Sequence, residues 1–144
     1  MNDIKYLPPR HISYEEFINR LYPEKVSKED GVGAKTITFQ VTEDCCMRCT
    51  YCYQHNKTKN KMTFETAKEF IDGLLNDKYA NINSSNTHAI VIDFIGGEPL
   101  MEIDLIEQIC EYFIISMIEK EHPWLYFCKI SIGSNGLLYN TPKV

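Results

Sequence analysis

Two hydrophobic rhythms alternate along this chain. Residues 36–41, Thr-Ile-Thr-Phe-Gln-Val, alternate polar and apolar positions with period two and are rich in β-branched types, which predicts a strand. A helical period follows: Ala67, Phe70, Ile71, Leu74 and Leu75 share one face of a helix predicted from Thr63 to Leu75. Asn76 to Thr87 is polar and reads as a loop. Ala89 to Ile95 is a nearly continuous apolar run, as expected of a strand buried on both faces of a parallel sheet. A second helix is predicted from Glu102 to Lys120, stopped by His122-Pro123, with Tyr112 and Phe113 in its core face. Cys128 to Gly133 reads as a third strand, and Asn140-Thr141-Pro142 as the opening of another helix. Upstream, residues 1–34 form an N-terminal extension. There Ser13 and Glu16 fit a capping box for a short helix through Leu21, and Asp30 to Gly33 a turn into the first strand.

Alternating β and α elements of this length imply an α/β fold with a parallel sheet and right-handed crossovers. Such folds, barrel or open, bind ligands at the C-terminal ends of their strands, so a functional motif should directly follow a strand. Composition narrows the classes further. A chain of 144 residues fits one domain, and 44% hydrophobic with 24% charged residues reads as soluble and globular. A net charge of −5 argues against a general nucleic-acid surface. No basic stretch leads into an apolar segment at the N-terminus, and the most apolar region, Ile103 to Ile118, is interrupted by Glu107, Gln108 and Glu111. Neither a secretory signal nor a membrane span is expected, and the cytoplasm is the expected compartment.

Four of the six cysteines fall within eight residues, Cys45 to Cys52. In a reducing compartment such clustering favours metal over disulfides. Cys110 and Cys128 sit alone in apolar surroundings and read as small buried hydrophobes. Cys45, Cys49 and Cys52 can ligate three irons of a cubane cluster, leaving the fourth iron open to an exogenous ligand. Alternatively Cys46, Cys49, Cys52 and His55 make a Cys3His zinc set, though four ligands within ten residues of one loop would be strained.

Two further motifs follow the next two strands. Gly96-Gly97-Glu98-Pro99 can be a tight turn with Glu98 on the surface, or a place where backbone approaches a ligand and a carboxylate meets an ammonium group. Ser134-Asn135-Gly136 is by itself a turn signal. Asp93, within the second strand, needs a partner if buried. Thr36, Thr38 and Gln40, with Lys129 and Ser131, make polar sheet faces that suit either solvent or a barrel lumen.

Taken in order, Cys45-x3-Cys49-x2-Cys52 with Tyr51, Tyr53 and Gln54 beside it, Gly96–Pro99 and Ser134–Gly136 resemble the radical S-adenosylmethionine (SAM) superfamily. The resemblance runs from about Lys35 to Tyr139 and is greatest to its peptide and protein maturases, which include sactipeptide-type thioether synthases and anaerobic sulfatase-maturing enzymes. It implies a fold, the first three strands of a partial (β/α)6 TIM-like barrel over residues 35–144, and a 4Fe-4S cluster held by Cys45, Cys49 and Cys52. It implies SAM at Gly96, Gly97, Glu98 and Pro99, with Tyr51 packing near adenine and Ser134 and Asn135 lining the pocket. It also implies reductive cleavage of SAM to a 5′-deoxyadenosyl radical, a peptide or protein substrate, and a low-potential electron donor. No residue is identifiable as a general acid or base beyond the cluster and SAM ligands. Counting three strands of six, the sequence is expected to be a fragment that loads a cluster poorly and turns over slowly or not at all. The competing expectations are a noncatalytic zinc module or a decayed, metal-free fragment that binds a partner.

Overall fold

The computed structural model describes residues 33–142. The extension, with the Ser13 capping box and most of the Asp30 turn, lies outside them. Three strands, β1 (Gly33–Thr42), β2 (Thr87–Gly96) and β3 (Cys128–Ile132), pair in the order β1-β2-β3, both pairings parallel. Helices α1 (Phe64–Leu75) and α2 (Ile103–Glu119) make the two crossovers. The class is α/β, and β1 starts three residues before the expected Thr36.

One face of the sheet carries the core. Ile37, Ile92 and Ile130 stand in register, as do Phe39, Phe94 and Ile132. Phe39 stacks on Phe94 at 5.7 Å and meets Phe70 of α1 edge-on at 5.8 Å. Ala67, Ile71 and Leu74 of α1 and Ile106, Ile109, Phe113 and Met117 of α2 close over them. Each large side chain so buried contributes roughly 1.5–3 kcal/mol relative to exposure.

The opposite face differs from expectation. Its rows Thr36–Val91–Lys129 and Thr38–Asp93–Ser131 are exposed on β1 and half-buried on β2. β2 is therefore fully buried on one face only, because both helices pack on the same side. Asp93 sits on the open side, between Thr38 and Ser131 in register, where a carboxylate keeps access to water.

Local signals place the helices. The Thr63 hydroxyl caps α1 by accepting the N–H of Thr66 at 3.2 Å. Tyr112 of α2 donates to Asp72 of α1 at 2.6 Å. After α2 the chain makes a 3-10 turn, Pro123–Tyr126, that periodicity does not announce. Trp124 within it is fully buried and donates its indole N–H to the Thr87 carbonyl at 2.7 Å, tying the entry of β3 to the start of β2. Beyond β3 the expected helix at Asn140 is absent among the described residues. Residues 136–142 form turns. Cys110 and Cys128 are partly buried and packed against the core. Burial pushes the Cys128 thiol up to about 11 and raises that of Cys110. No described helix is long and apolar enough to cross a membrane.

Candidate metal and cofactor site

All three motifs lie where the strands end. The cysteine loop leaves β1 at Thr42, a buried residue whose hydroxyl accepts the N–H of Asp44 at 3.1 Å. The Asp44 carboxylate in turn accepts the N–H of Cys45 at 2.8 Å. Short polar side chains thereby satisfy the backbone of a tight exit that no ladder can serve. The far end of the loop returns to the same place: Glu43 N–H donates to Asn60 O at 2.9 Å and Met62 N–H to Val41 O at 3.0 Å. The Glu43 carboxylate also accepts from Thr58 and from the Asn60 amide. Both ends of the loop are thus stapled at the mouth of β1.

Within it, Cys45 is buried, Cys49 and Cys52 are half-buried and Cys46 is exposed. A turn closed by Cys52 N–H on Cys49 O at 3.2 Å brings the last two together. Arg48 donates to the carbonyls of Cys45 (2.8 Å) and Met47 (3.1 Å), and Lys57 to that of Met47 (2.9 Å). Burial works against the Lys57 charge, but hydrogen bonding and attraction from Cys45 outweigh it and raise the ammonium above its usual value. A hollow of about 530 Å³ opens here, lined by Arg48, Cys49, Cys52, His55 and Lys57 among others. Tyr51 lies on the surface, where hydrogen bonding and repulsion from Cys49 raise the phenol above its usual value.

Gly96 and Gly97 press the end of β2 against that loop. Gly97 N–H donates to Thr42 O at 2.9 Å and Glu98 N–H to Asp44 O at 2.8 Å. A Cβ on Gly97 would stand 2.1 Å from Asp44 O, and one on Gly96 2.5 Å from Thr42 O. The glycines are therefore required by the approach of the cysteine loop's own backbone, a neighbour that the sequence could not name. Neither needs a positive φ.

Glu98 is fully buried, which removes the surface alternative. Its carboxylate caps the short turn after β2 through Leu100 N–H (3.0 Å) and accepts the Ser134 hydroxyl (2.8 Å) and Asn135 N–H (2.8 Å). Three of its roughly four acceptor positions are filled by the protein. The third motif is thereby fastened to the second, and through it to the first. Asn135 then turns its side-chain amide toward Cys45 Sγ (3.9 Å) and Cys46 Sγ (3.6 Å).

The structure thus brings Cys45, Gly96–Pro99, Ser134 and Asn135 together and leaves Tyr51 outside that network. Sequence reasoning missed Thr42, Asp44, Arg48 and Lys57. Thr42 and Asp44 carried a signal, since a Thr-x-Asp run after a strand favours side-chain caps on the next N–H groups. The donor chemistry fits an iron–sulfur group: three cysteines on one stapled loop beside two cations. Among the described residues no three His, Cys, Asp or Glu side chains converge on one ion, and this holds for Cys45, Cys49 and Cys52 as for the four-ligand zinc set.

Comparison with known proteins agrees with the cluster chemistry. An uncharacterised protein of Methanocaldococcus jannaschii is 42% identical over 80 residues, covering 56% of this chain and 25% of that protein. A radical SAM cyclopropyl synthase of Paramaledivibacter caminithermalis is 29% identical over 129 residues, covering 81% of this chain and 25% of the synthase. The chain spans about a quarter of the length of these curated relatives. The model of the 4Fe-4S single cluster domain matches residues 29–129, most of the sequence, and the chain belongs to that family.

Proposed function

We propose that this chain is the cluster- and SAM-binding part of a radical SAM enzyme that modifies a peptide or protein. Cys45, Cys49 and Cys52 are the cluster ligands in this reading, and the segment Gly96–Pro99 with Ser134 and Asn135 borders the SAM site. The observation that carries it is the hydrogen-bonded chain Thr42/Asp44–Gly97/Glu98–Ser134/Asn135, which fastens three motifs from three strand ends into one site. A turn-only origin for the glycines and for Ser134–Gly136 leaves that mutual fastening without a reason.

When bound, the cluster and SAM supply one-electron reductive cleavage to a 5′-deoxyadenosyl radical. The chain's own residues do the rest. Arg48 and Lys57 hold the loop carbonyls and so fix the backbone that carries the cysteines. The buried Glu98 fixes the floor between β2 and β3. The polar, open face formed by Thr36, Thr38, Asp93 and Ser131 is suited to the lumen of a partial (β/α)6 barrel, with further strands beside β3. Similarity to the cyclopropyl synthase over most of this chain, together with Cys-Thr-Tyr-Cys-Tyr-Gln, supports the maturase class. A low-potential electron donor and a cytoplasmic setting complete the reading.

The test is anaerobic reconstitution followed by electron paramagnetic resonance of the dithionite-reduced protein with and without SAM. Binding of SAM to the open iron changes the spectrum. A full cluster whose signal ignores millimolar SAM overturns the SAM assignment.

A further inference from the structure

We propose that the side-chain amide of Asn135 donates a hydrogen bond to the sulfur of Cys45 and raises the reduction potential of the cluster that Cys45 holds, with Glu98 as the positioning residue that sets its aim. The inference rests on Cys45 being a cluster ligand and adds a control of that cluster from the far end of the sheet.

The geometry fixes which end of the amide faces sulfur. Asn135 Oδ1 accepts the N–H of Leu137 at 2.9 Å, so the oxygen is committed within its own turn. The NH2 group must then point the other way, toward Cys45 Sγ at 3.9 Å and Cys46 Sγ at 3.6 Å. The usual ambiguity of amide orientation is resolved by that acceptor contact. Two N–H bonds are available, so both sulfurs can be served at once. Their surroundings differ: Cys46 is exposed to water, whereas Cys45 is only 7% exposed and its sulfur also accepts the N–H of Met47 at 3.4 Å, to which the Asn135 amide adds a second donor away from bulk water.

Glu98 provides the aim. Its Oε2 accepts the backbone N–H of Asn135 and its Oε1 the Ser134 hydroxyl, each at 2.8 Å. Glu98 is fully buried and its own N–H is bound to Asp44 O, next to Cys45. The cysteine and the amide that reaches for it are thus held by one rigid residue. A hydrogen bond to a ligand sulfur draws electron density from the cluster, favours the reduced, more negative state and raises the potential.

The test uses the reconstituted chain and an electron paramagnetic resonance redox titration. Asn135→Leu removes the donor at similar volume. At the wild-type midpoint, where reduced and oxidised cluster are equal, this variant is expected to show a ratio about tenfold lower, a shift of about 59 mV for a one-electron couple. Glu98→Gln, which presents a donor to Asn135 N–H, is expected to shift the midpoint the same way. The double variant should shift no further than Asn135→Leu alone. Cys46→Ala is expected to leave the midpoint unchanged. A fully loaded Asn135→Leu protein with the wild-type midpoint overturns the proposal. So does a wild-type cluster that shows no hyperfine coupling to a 15N-labelled asparagine side-chain amide, a measurement needing no variant. Wild-type protein that takes up no iron and sulfide overturns the ligand assignment itself, and this inference with it.

Discussion

Substituting Gly97 by alanine isolates the contact on which the site's assembly depends. The new Cβ would lie 2.1 Å from Asp44 O, 2.5 Å from Asp44 C and 2.8 Å from Glu43 O. All three are backbone atoms, so no side-chain rotation relieves the clash and the cysteine loop must move. Moving it breaks the Gly97–Thr42 and Glu98–Asp44 hydrogen bonds of 2.9 and 2.8 Å. Two such bonds are worth about 1–3 kcal/mol together, and forced displacement of a packed segment costs about 1–3 more. Gly97 does not require a positive φ, so alanine recovers about 0.4–1 kcal/mol through the unfolded chain. The net expectation is a loss of about 1–5 kcal/mol, or a fall in Tm of about 4–20 °C at this chain length. Gly133→Ala is the matched control. Its Cβ would meet Ile95 Cγ2 at 3.7 Å and Phe94 O at 3.8 Å, ordinary contacts, and it should stay near the wild type. Differential scanning calorimetry measures both, and iron content after reconstitution reports on the loop. A Gly97→Ala protein with wild-type Tm and iron content would refute the steric clamp.

Three further outcomes are expected. Thr63→Ala removes the cap on Thr66 N–H and should cost about 0.5–2 kcal/mol in urea unfolding, while Thr63→Ser keeps most of it. Burial holds the His122 imidazole below its ordinary value despite the Asp77 carboxylate nearby, and its Nδ1 accepts Trp124 N–H at 3.3 Å. The folded state therefore resists protonation, so this stability is present above about pH 6.5 and is lost as pH falls below it. His122→Asn should flatten that acid slope, and an unchanged slope in urea midpoints would refute it. Burial pushes the Cys128 thiol up to about 11, so iodoacetamide at pH 8 should label exposed Cys46 early and Cys128 only after denaturation, as read by peptide mass spectrometry.

Much of the fold was legible because its signals are local. The alternation at Thr36 to Val41, the apolar face from Ala67 to Leu75 and the Thr63 cap each speak within one turn or pleat, and the observed elements fall within a few residues of them. The three motifs follow the ends of the three strands, where the sequence placed them. The illegible part is contact at long range. Nothing near Glu98 says that its carboxylate meets Ser134 and Asn135, 36 and 37 residues on. Nothing near Gly97 says that its neighbour is Asp44 O. β2 misled in a different way, since a uniformly apolar run does not reveal that both crossovers pack on one side. The Pro123–Tyr126 turn and the Trp124 anchor were missed because a single 3-10 turn is too short to show a period.

The ligand assignment is tested most directly by metal and sulfide analysis of anaerobically reconstituted protein, with Mössbauer spectroscopy of the iron. Wild type and Cys46→Ala are expected to hold a 4Fe-4S cluster, and the Cys45/Cys49/Cys52 triple alanine variant neither iron nor sulfide. One zinc per wild-type chain, with no sulfide, lost when Cys46 and His55 are replaced, would contradict it.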